Sequence, residues 1–457
     1  MTSPLPKTSV AETLAGKIVA LTPGVLPAAT LRKCADLLID VVGLCVTARN
    51  QDYVQSALAG WDDDGPCTVI GHARGLTASG AAFVNGTAAH GEDFDDTFEG
   101  GPVHAGAVIV PAVLAACERQ NPDGRMALTG IAVGTEVLCR RSLVVPKAVH
   151  KAGFHPTAIF GAMGAAAGVG AALGLNARQI VDALGIAGSM AGGIIEYLAE
   201  GAWTKRLHAG WAAQSGLRAA LLARQGFVGP RTVFEGVHGL FHGFAHTTHG
   251  DFDALTGDFG TRWVTDTLAF KPYPCGTMAQ PYIDCARRLA GRGVKADDVA
   301  AIVCEVAEGT VHRLWEPLAD KQRPPTGYAA KFATPYLLAT GFVHDGVGLG
   351  AFTEAAIRDA NVLALAAKVT YLIDPQNPYP ANYTGHVRAT LKDGSVIEER
   401  QPHMRGGAQE PLTRQDVTDK FALNAQHGGW TKAQSDATLK LLAGLYNDRI
   451  DLSAIRN

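Results

Sequence analysis

The run His90–His104, HGEDFDDTFEGGPVH, sets five carboxylates within eight positions, with a histidine at each end. Side chains of these types can hold a divalent cation, clamp a diphosphate through Mg²⁺, or move protons. The diphosphate clamp fits poorly. Asp95-Asp96-Thr97-Phe98-Glu99 matches a DDxxE pattern, but Gly100-Gly101-Pro102 follows at once and no second Asp-rich motif occurs. A metal could be held elsewhere: HGLFHGFAHTTH places His238, His242, His246 and His249 at helical spacing, where imidazoles four apart can share an ion. Gly239 and Gly243 weaken such a helix, and no carboxylate stands at HExxH spacing. The expectation is that no metal is bound.

Acid/base chemistry is the better use of these residues. An Asp beside a His in a mostly apolar setting gives two groups whose pKa values can be pushed apart. Other segments offer polar groups in apolar surroundings: His155 in GFHPTAIFG; Lys205, Arg206 and His208 in TKRLHAGWAA; Lys271 in AFKPYP; Lys331 and Tyr336 in KFATPY. Together they would make a cationic pocket for a multiply charged anion. There is no GxSxG, no cysteine in a catalytic frame, no GxGxxG after a strand and no P-loop. Neither a nucleophilic hydrolase nor a nucleotide cofactor is supported.

These groups need a large scaffold, and the chain supplies one: 457 residues, 47% apolar, net charge −3. Neither nucleic acid nor an anionic membrane is expected as a partner. Eight scattered cysteines without a CxxC pair suit reduced, buried thiols and a cytoplasmic protein. The N-terminus has no signal-peptide pattern. The uncharged stretch Pro156–Ala177 is long enough to span a membrane, but its Ala and Gly content reads as a helix packed closely among other helices.

The pattern predicts helices over Leu31–Thr47, Ala107–Cys117, Arg178–Leu198 and Trp211–Gln225. After a break at KPYPCGTM it predicts a helix over Gln280–Leu289 and a strand over Ala300–Val306. Next come a helix over Val362–Ala367, a strand over Lys368–Ile373, and a hairpin over His386–Glu399 about Asp393-Gly394. Thr413 reads as an N-cap answered by Asp416, with Phe421 to Tyr446 helical beyond it. The fold class is mainly α. A large helical domain is built from both chain ends, 1–268 and 407–457, and a smaller α+β lid domain, 269–406, is inserted between.

Several segments together resemble the MmgE/PrpD family, which includes 2-methylcitrate dehydratase, cis-aconitate decarboxylase and an iminodisuccinate epimerase. They are NGTAAHGEDFDDT…HAG, GFHPTAIFGAMGAAAG, TKRLHAGWAAQSG, FEGVHGL, FKPYPCGTMAQ, KFATPY and EPLTRQDVTDKF, in the family's order. The resemblance implies a homodimer with no metal or organic cofactor. It also implies an acid/base enzyme that removes a proton next to a carboxylate of a small polycarboxylate. Carried over by motif, Asp93, Thr97, His104, His155, Lys205, His208, Lys271 and Tyr336 match family site positions. His104, Lys205, Tyr336, His155 and Asp93 are the catalytic candidates; Thr97, His208, Lys271, Arg206 and Lys331 are the substrate-binding ones. On this view Asp93 and His104 face the pocket, Asp95 and Asp96 bind nearby backbone, and Glu92 and Glu99 are solvated.

One position departs from the pattern. The dehydratase and decarboxylase usually carry a histidine where Gly276 stands, and Phe332-Ala333-Thr334-Pro335 replaces a segment where they more often have a His-Ser pair. Loss of that histidine removes an acid that a lyase would use and harms an epimerase less. The expected activity is therefore an isomerase, an epimerase on an iminodisuccinate-like aminodicarboxylate. A lyase of the 2-methylcitrate or cis-aconitate type is the alternative. A non-catalytic polycarboxylate-binding protein is the reading from another class.

Overall fold

The computed structural model describes residues 8–101, 103–447 and 449–456. It is mainly helical and divides into two compact units. One carries the chain up to Leu268 and again from Thr413; the other is Ala269–Leu412.

The first unit contains α1 (Ala28–Ala48), α2 (Ala78–Gly91), α3 (Gly106–Gln120), α4 (Gly124–Val144), α5 (Pro156–Ala172), α6 (Ala177–Met190) and α7 (Thr204–Arg224). Every residue of α5 is buried, so the uncharged stretch is an interior helix. No helix among the described residues is long and apolar enough to cross a membrane. Small residues let these helices approach closely: a Cβ at Gly168 of α5 would stand 2.6 Å from the Gly130 carbonyl of α4.

The helix expected over Arg178–Leu198 stops at Met190. Ala191 is extended and Gly193 has φ 140°, a conformation that side chains disfavour. The loop folds back, and the Gly193 carbonyl accepts the His155 N–H at 2.9 Å. The histidine run around 238–249 forms only the short helix Leu240–Ala245. His238, His242, His246 and His249 are all exposed, and no shared metal site forms among them. Glycines at 239 and 243 account for the short helix.

The second unit contains α8 (Gln280–Gly291), β1 (Val299–Val306), α9 (Thr334–His344), β2 (Val369–Ile373), β3 (Gly385–Leu391) and β4 (Val396–Gln401). The strand order is β2-β1-β3-β4. β1 pairs parallel with β2 and antiparallel with β3, and β3 with β4 forms the hairpin read from Asp393-Gly394. Ile302, Cys304, Val306, Trp315, Leu337 and Val387 share its core.

The return to the first unit comes at Thr413 and not at 407. Phe270 N–H donates to Gly406 O at 3.0 Å, and Arg405 pairs with Asp284 at 3.1 Å, so this segment is held in the second unit. Thr413 and Asp416 then form a reciprocal capping box that starts α10 (Arg414–His427). The helical stretch expected from Phe421 to Tyr446 is broken at Gly428-Gly429, with φ 85° at Gly429.

Candidate active site

The acidic run follows directly from the end of α2. That helix crosses α7 at two glycines: a Cβ at Gly86 would lie 2.7 Å from Gly210 Cα, and one at Gly210 would overlap the Phe83 carbonyl. This approach brings the end of α2 beside the first two turns of α7, which carry Lys205 and His208. Asp93 then adopts φ 56°, the left-handed region that Asp tolerates better than most residues. The turn sends successive carboxylates in different directions.

Asp93 forms a buried ion pair with Lys205. Asp95, fully buried, accepts the His90 Nδ1–H at 2.6 Å, and its other oxygen lies 3.7 Å from His104 Nδ1. Asp96 caps α3, accepting N–H bonds from Ala105 at 3.0 Å and Gly106 at 2.8 Å. Burial pushes the Asp96 carboxyl up to about 7, Asp95 and Asp40 add to the rise, and the two backbone donors oppose it. From the return helix α10, Lys420 reaches Asp40 at 2.7 Å and the Phe94 carbonyl at 2.8 Å, so a buried cation lies under the acidic loop.

The imidazoles converge from three places. His104 follows a tight turn in which Phe98 N–H donates to Val103 O at 3.0 Å. Its Nδ1–H donates to the Asp96 carbonyl at 2.7 Å. A carbonyl can only accept, so neutral His104 carries its proton on Nδ1 and presents a basic Nε2. His155 stands at the head of α5. Its ring stacks on His90 with centroids 5.6 Å apart, and its Nδ1 lies 3.1 Å from His208 Nδ1. Only one proton fits between those two nitrogens, so the rings cannot both be cationic. Burial holds His208 down to about 4, with His90 and Lys205 adding like charge. His155 is held well below its ordinary value by burial, then by the same histidines and Lys205. Tyr197 packs edge-on against both rings.

His90, Asp95 and His104 bring nitrogen and carboxylate atoms within 4.8 Å of one another. The His90 Nδ1 is already bound to Asp95 and the His104 Nδ1 to the Asp96 carbonyl, so both of these nitrogens carry protons. The whole assembly is a cation fixed by a carboxylate, two neutral imidazoles and a buried Asp–His pair. It can bind an anion, stabilise charge developing on carbon, and give or take a proton.

The MmgE/PrpD N-terminal domain profile matches residues 12–253, and the MmgE/PrpD C-terminal domain profile matches residues 273–443. The chain belongs to the MmgE/PrpD family. The cis-aconitate decarboxylase-like protein oryM of Aspergillus oryzae is 27% identical over 445 residues, which cover 92% of this chain and 91% of that protein. The cis-aconitate decarboxylase of Mus musculus is 28% identical over 443 residues, covering 91% and 87% respectively. That of Aspergillus terreus is 26% identical over 423 residues, covering 87% and 85%.

Within this family member, the first unit brings together Asp93, His104, His155, Lys205 and His208. Thr97 is buried in the short extended pair Thr97–Phe98. Arg206 turns elsewhere: its guanidinium lies 4.4 Å over the Tyr53 ring, and the Tyr53 hydroxyl donates to Glu92 at 3.0 Å. Glu92 is therefore tied down and not simply solvated, and one oxygen of Asp95 binds the His90 side chain.

Lys271, Lys331 and Tyr336 lie in the second unit. All three are buried. The Lys331 ammonium sits 4.7 Å over the Phe352 ring. The Tyr336 hydroxyl donates to Ala351 O at 2.6 Å and burial raises its pKa, so at neutral pH it is a held donor and not a ready base. The two departures from the lyase pattern touch each other. A Cβ at Gly276 would stand 3.3 Å from the Phe332 ring and 3.4 Å from Leu314. Gly276→His should therefore overpack this corner and cost about 1–3 kcal/mol in urea unfolding, with Phe332→Ala in the same chain restoring part of it. A single variant that unfolds at the wild-type urea concentration would show that the corner has room.

Proposed function

We propose that this protein is a lyase that decarboxylates a small unsaturated polycarboxylate of the cis-aconitate type. The carrying observation is the Asp93–Lys205 pair set beside the neutral His155–His208 pair. It is supported by similarity to cis-aconitate decarboxylases along most of the chain. In such a reaction a carboxylate leaves as CO₂ and the C–C electron pair shifts the adjacent double bond. Negative charge then builds on the carbon next to a second carboxylate. Lys205 would stabilise that charge and a ring N–H would protonate the carbon.

The test is proton NMR in D₂O with cis-aconitate, 2-methylcitrate and iminodisuccinate. Itaconate carrying one deuterium on its saturated carbon is the expected product. Deuterium exchange of iminodisuccinate with diastereomer interconversion would establish the epimerase reading instead. That second reading is favoured by the apolar corner at Gly276 and Phe332. Tight binding of all three without turnover would leave a polycarboxylate-binding protein.

A homodimer is part of this reading. One face of α7 and its lead-in exposes Trp203 (49%), Leu207 (37%) and Trp211 (44%) at four-residue spacing, an apolar stripe that a second copy would cover. Sedimentation at micromolar concentration should give twice the chain mass, and Trp211→Glu should shift it to monomer. The eight buried, unbridged cysteines support a reducing, cytoplasmic setting.

A further inference from the structure

We infer that His90 is a further catalytic residue, the proton donor of the site, and that Asp95 is its positioning residue. The inference deepens the proton-transfer reading above and rests on it.

His90 lies in the last turn of α2, one residue before the helix ends. Its Nδ1 is bound to Asp95 Oδ2 at 2.6 Å, and both side chains are wholly inaccessible to solvent. The carboxylate fixes the neutral tautomer, with the proton on Nδ1 and the lone pair on Nε2. Nε2 is buried and has no hydrogen-bond partner among the described residues. A buried polar atom left unsatisfied is costly, and a fold keeps one where a ligand completes it. The ring lies between those of His104, 5.0 Å away, and His155, 5.6 Å away, which places it among the residues of the site.

Charged and titratable groups face His90 from several elements. Asp95 faces it directly, and Asp96 and Asp40 stand behind Asp95 with Lys420 on Asp40. His104 and His155 flank it, and His208 and Lys205 approach from α7. Of the four imidazoles, His155 and His208 face each other and are kept neutral by burial. His104 spends its Nδ1–H on a carbonyl and lies 3.7 Å from Asp95. His90 has the Asp95 carboxylate within hydrogen-bond distance, at 2.6 Å. As imidazolium it would donate from Nε2 to the carbon that gains a proton, returning to the Nδ1–H tautomer, and solvent would restore the proton after product leaves.

The experiment has two arms. The first compares wild type, His90→Gln and Asp95→Asn on whichever substrate turns over. His90→Gln should lower kcat by about 10²–10⁴-fold. It should bind tricarballylate, a saturated analogue, within about threefold of wild type, as expected of a loss confined to the reacting step. Asp95→Asn should move the alkaline limb of the kcat profile to lower pH, because the imidazolium loses its counter-charge. A variant His90→Gln that keeps kcat within threefold, or an Asp95→Asn that lowers kcat without moving the limb, would overturn the assignment.

The second arm needs no turnover and no variant to fold. In ¹⁵N-histidine-labelled wild type, tricarballylate should shift the His90 Nε2 resonance while Nδ1 keeps its proton. An unmoved Nε2 means that His90 does not face the ligand, and the inference fails on that alone. A shifted Nε2 in an enzyme that converts none of the candidate substrates would count against the proposed reaction and not against His90 as a ligand-facing group.

Discussion

Lys205→Met is expected to lower kcat/KM by about 10²–10³-fold and to destabilise the fold at the same time. Removing one group that stabilises developing charge typically costs about 10²–10³-fold. Lys205 also orders the site, because its ammonium is paired with Asp93 in a buried position. Breaking such a pair from one side strands a buried charge and costs about 3–5 kcal/mol. The two effects separate in a cycle. Asp93→Asn added to Lys205→Met removes the stranded carboxylate, so urea stability should recover by a large part of that loss. Activity should not recover, since no cation is restored. Turnover of Lys205→Met within tenfold of wild type would remove Lys205 from the chemistry. Recovery of activity in the double variant would mean that the single variant failed through misfolding alone.

The parts of this arrangement that could be read in the sequence are those that depend on local pattern. α3 and α5 were legible because their residues are apolar all round. The hairpin was legible because Asp393-Gly394 supplies a turn that needs positive φ, observed as 87° at Gly394. Thr413 with Asp416 announced α10 for the same local reason. His155, Lys205 and His208 were read as chemical types in apolar segments; Asp93 and His104 belong to the acidic run and were chosen by their match to the family's motifs.

His90 and Asp95 were missed as a pair because their contact is made across the end of a helix. A five-residue separation matches neither helical nor strand periodicity, and only the left-handed turn at Asp93 brings them together. Lys420 was invisible for a related reason: on its own helix it is one more polar residue, and its role comes from Asp40 on α1. The overlong helix at Arg178–Leu198 shows the opposite error. Periodicity continued past Met190, but Gly192-Gly193 was the stronger signal, and the resulting loop is what holds the His155 backbone.

The stability of this site should change with pH in a way that His208→Gln reveals. His208 is held down to about 4, below the ordinary 6.5, because burial favours its neutral form. Between these values the unfolded chain binds a proton that the folded chain does not, so stability rises with pH across this window. The contribution is fully present above about 6.5 and is lost as pH falls toward 4; a shift of this size is worth about 3 kcal/mol. His155 acts in the same direction. Asp96 acts in the opposite one: with its pKa raised to about 7, the folded chain holds a proton that the unfolded chain releases, so its contribution falls as pH rises from about 4 to 7. The two histidines and the carboxylate therefore pull in opposite directions on acidification. His208→Gln removes one of the two histidines. The wild-type advantage over this variant, from urea midpoints, should therefore shrink by about 3 kcal/mol between pH 7 and pH 4. An advantage that stays constant across that range would mean that His208 titrates normally in the folded protein. The neutral His155–His208 pair, and the proton bookkeeping built on it, would then be wrong.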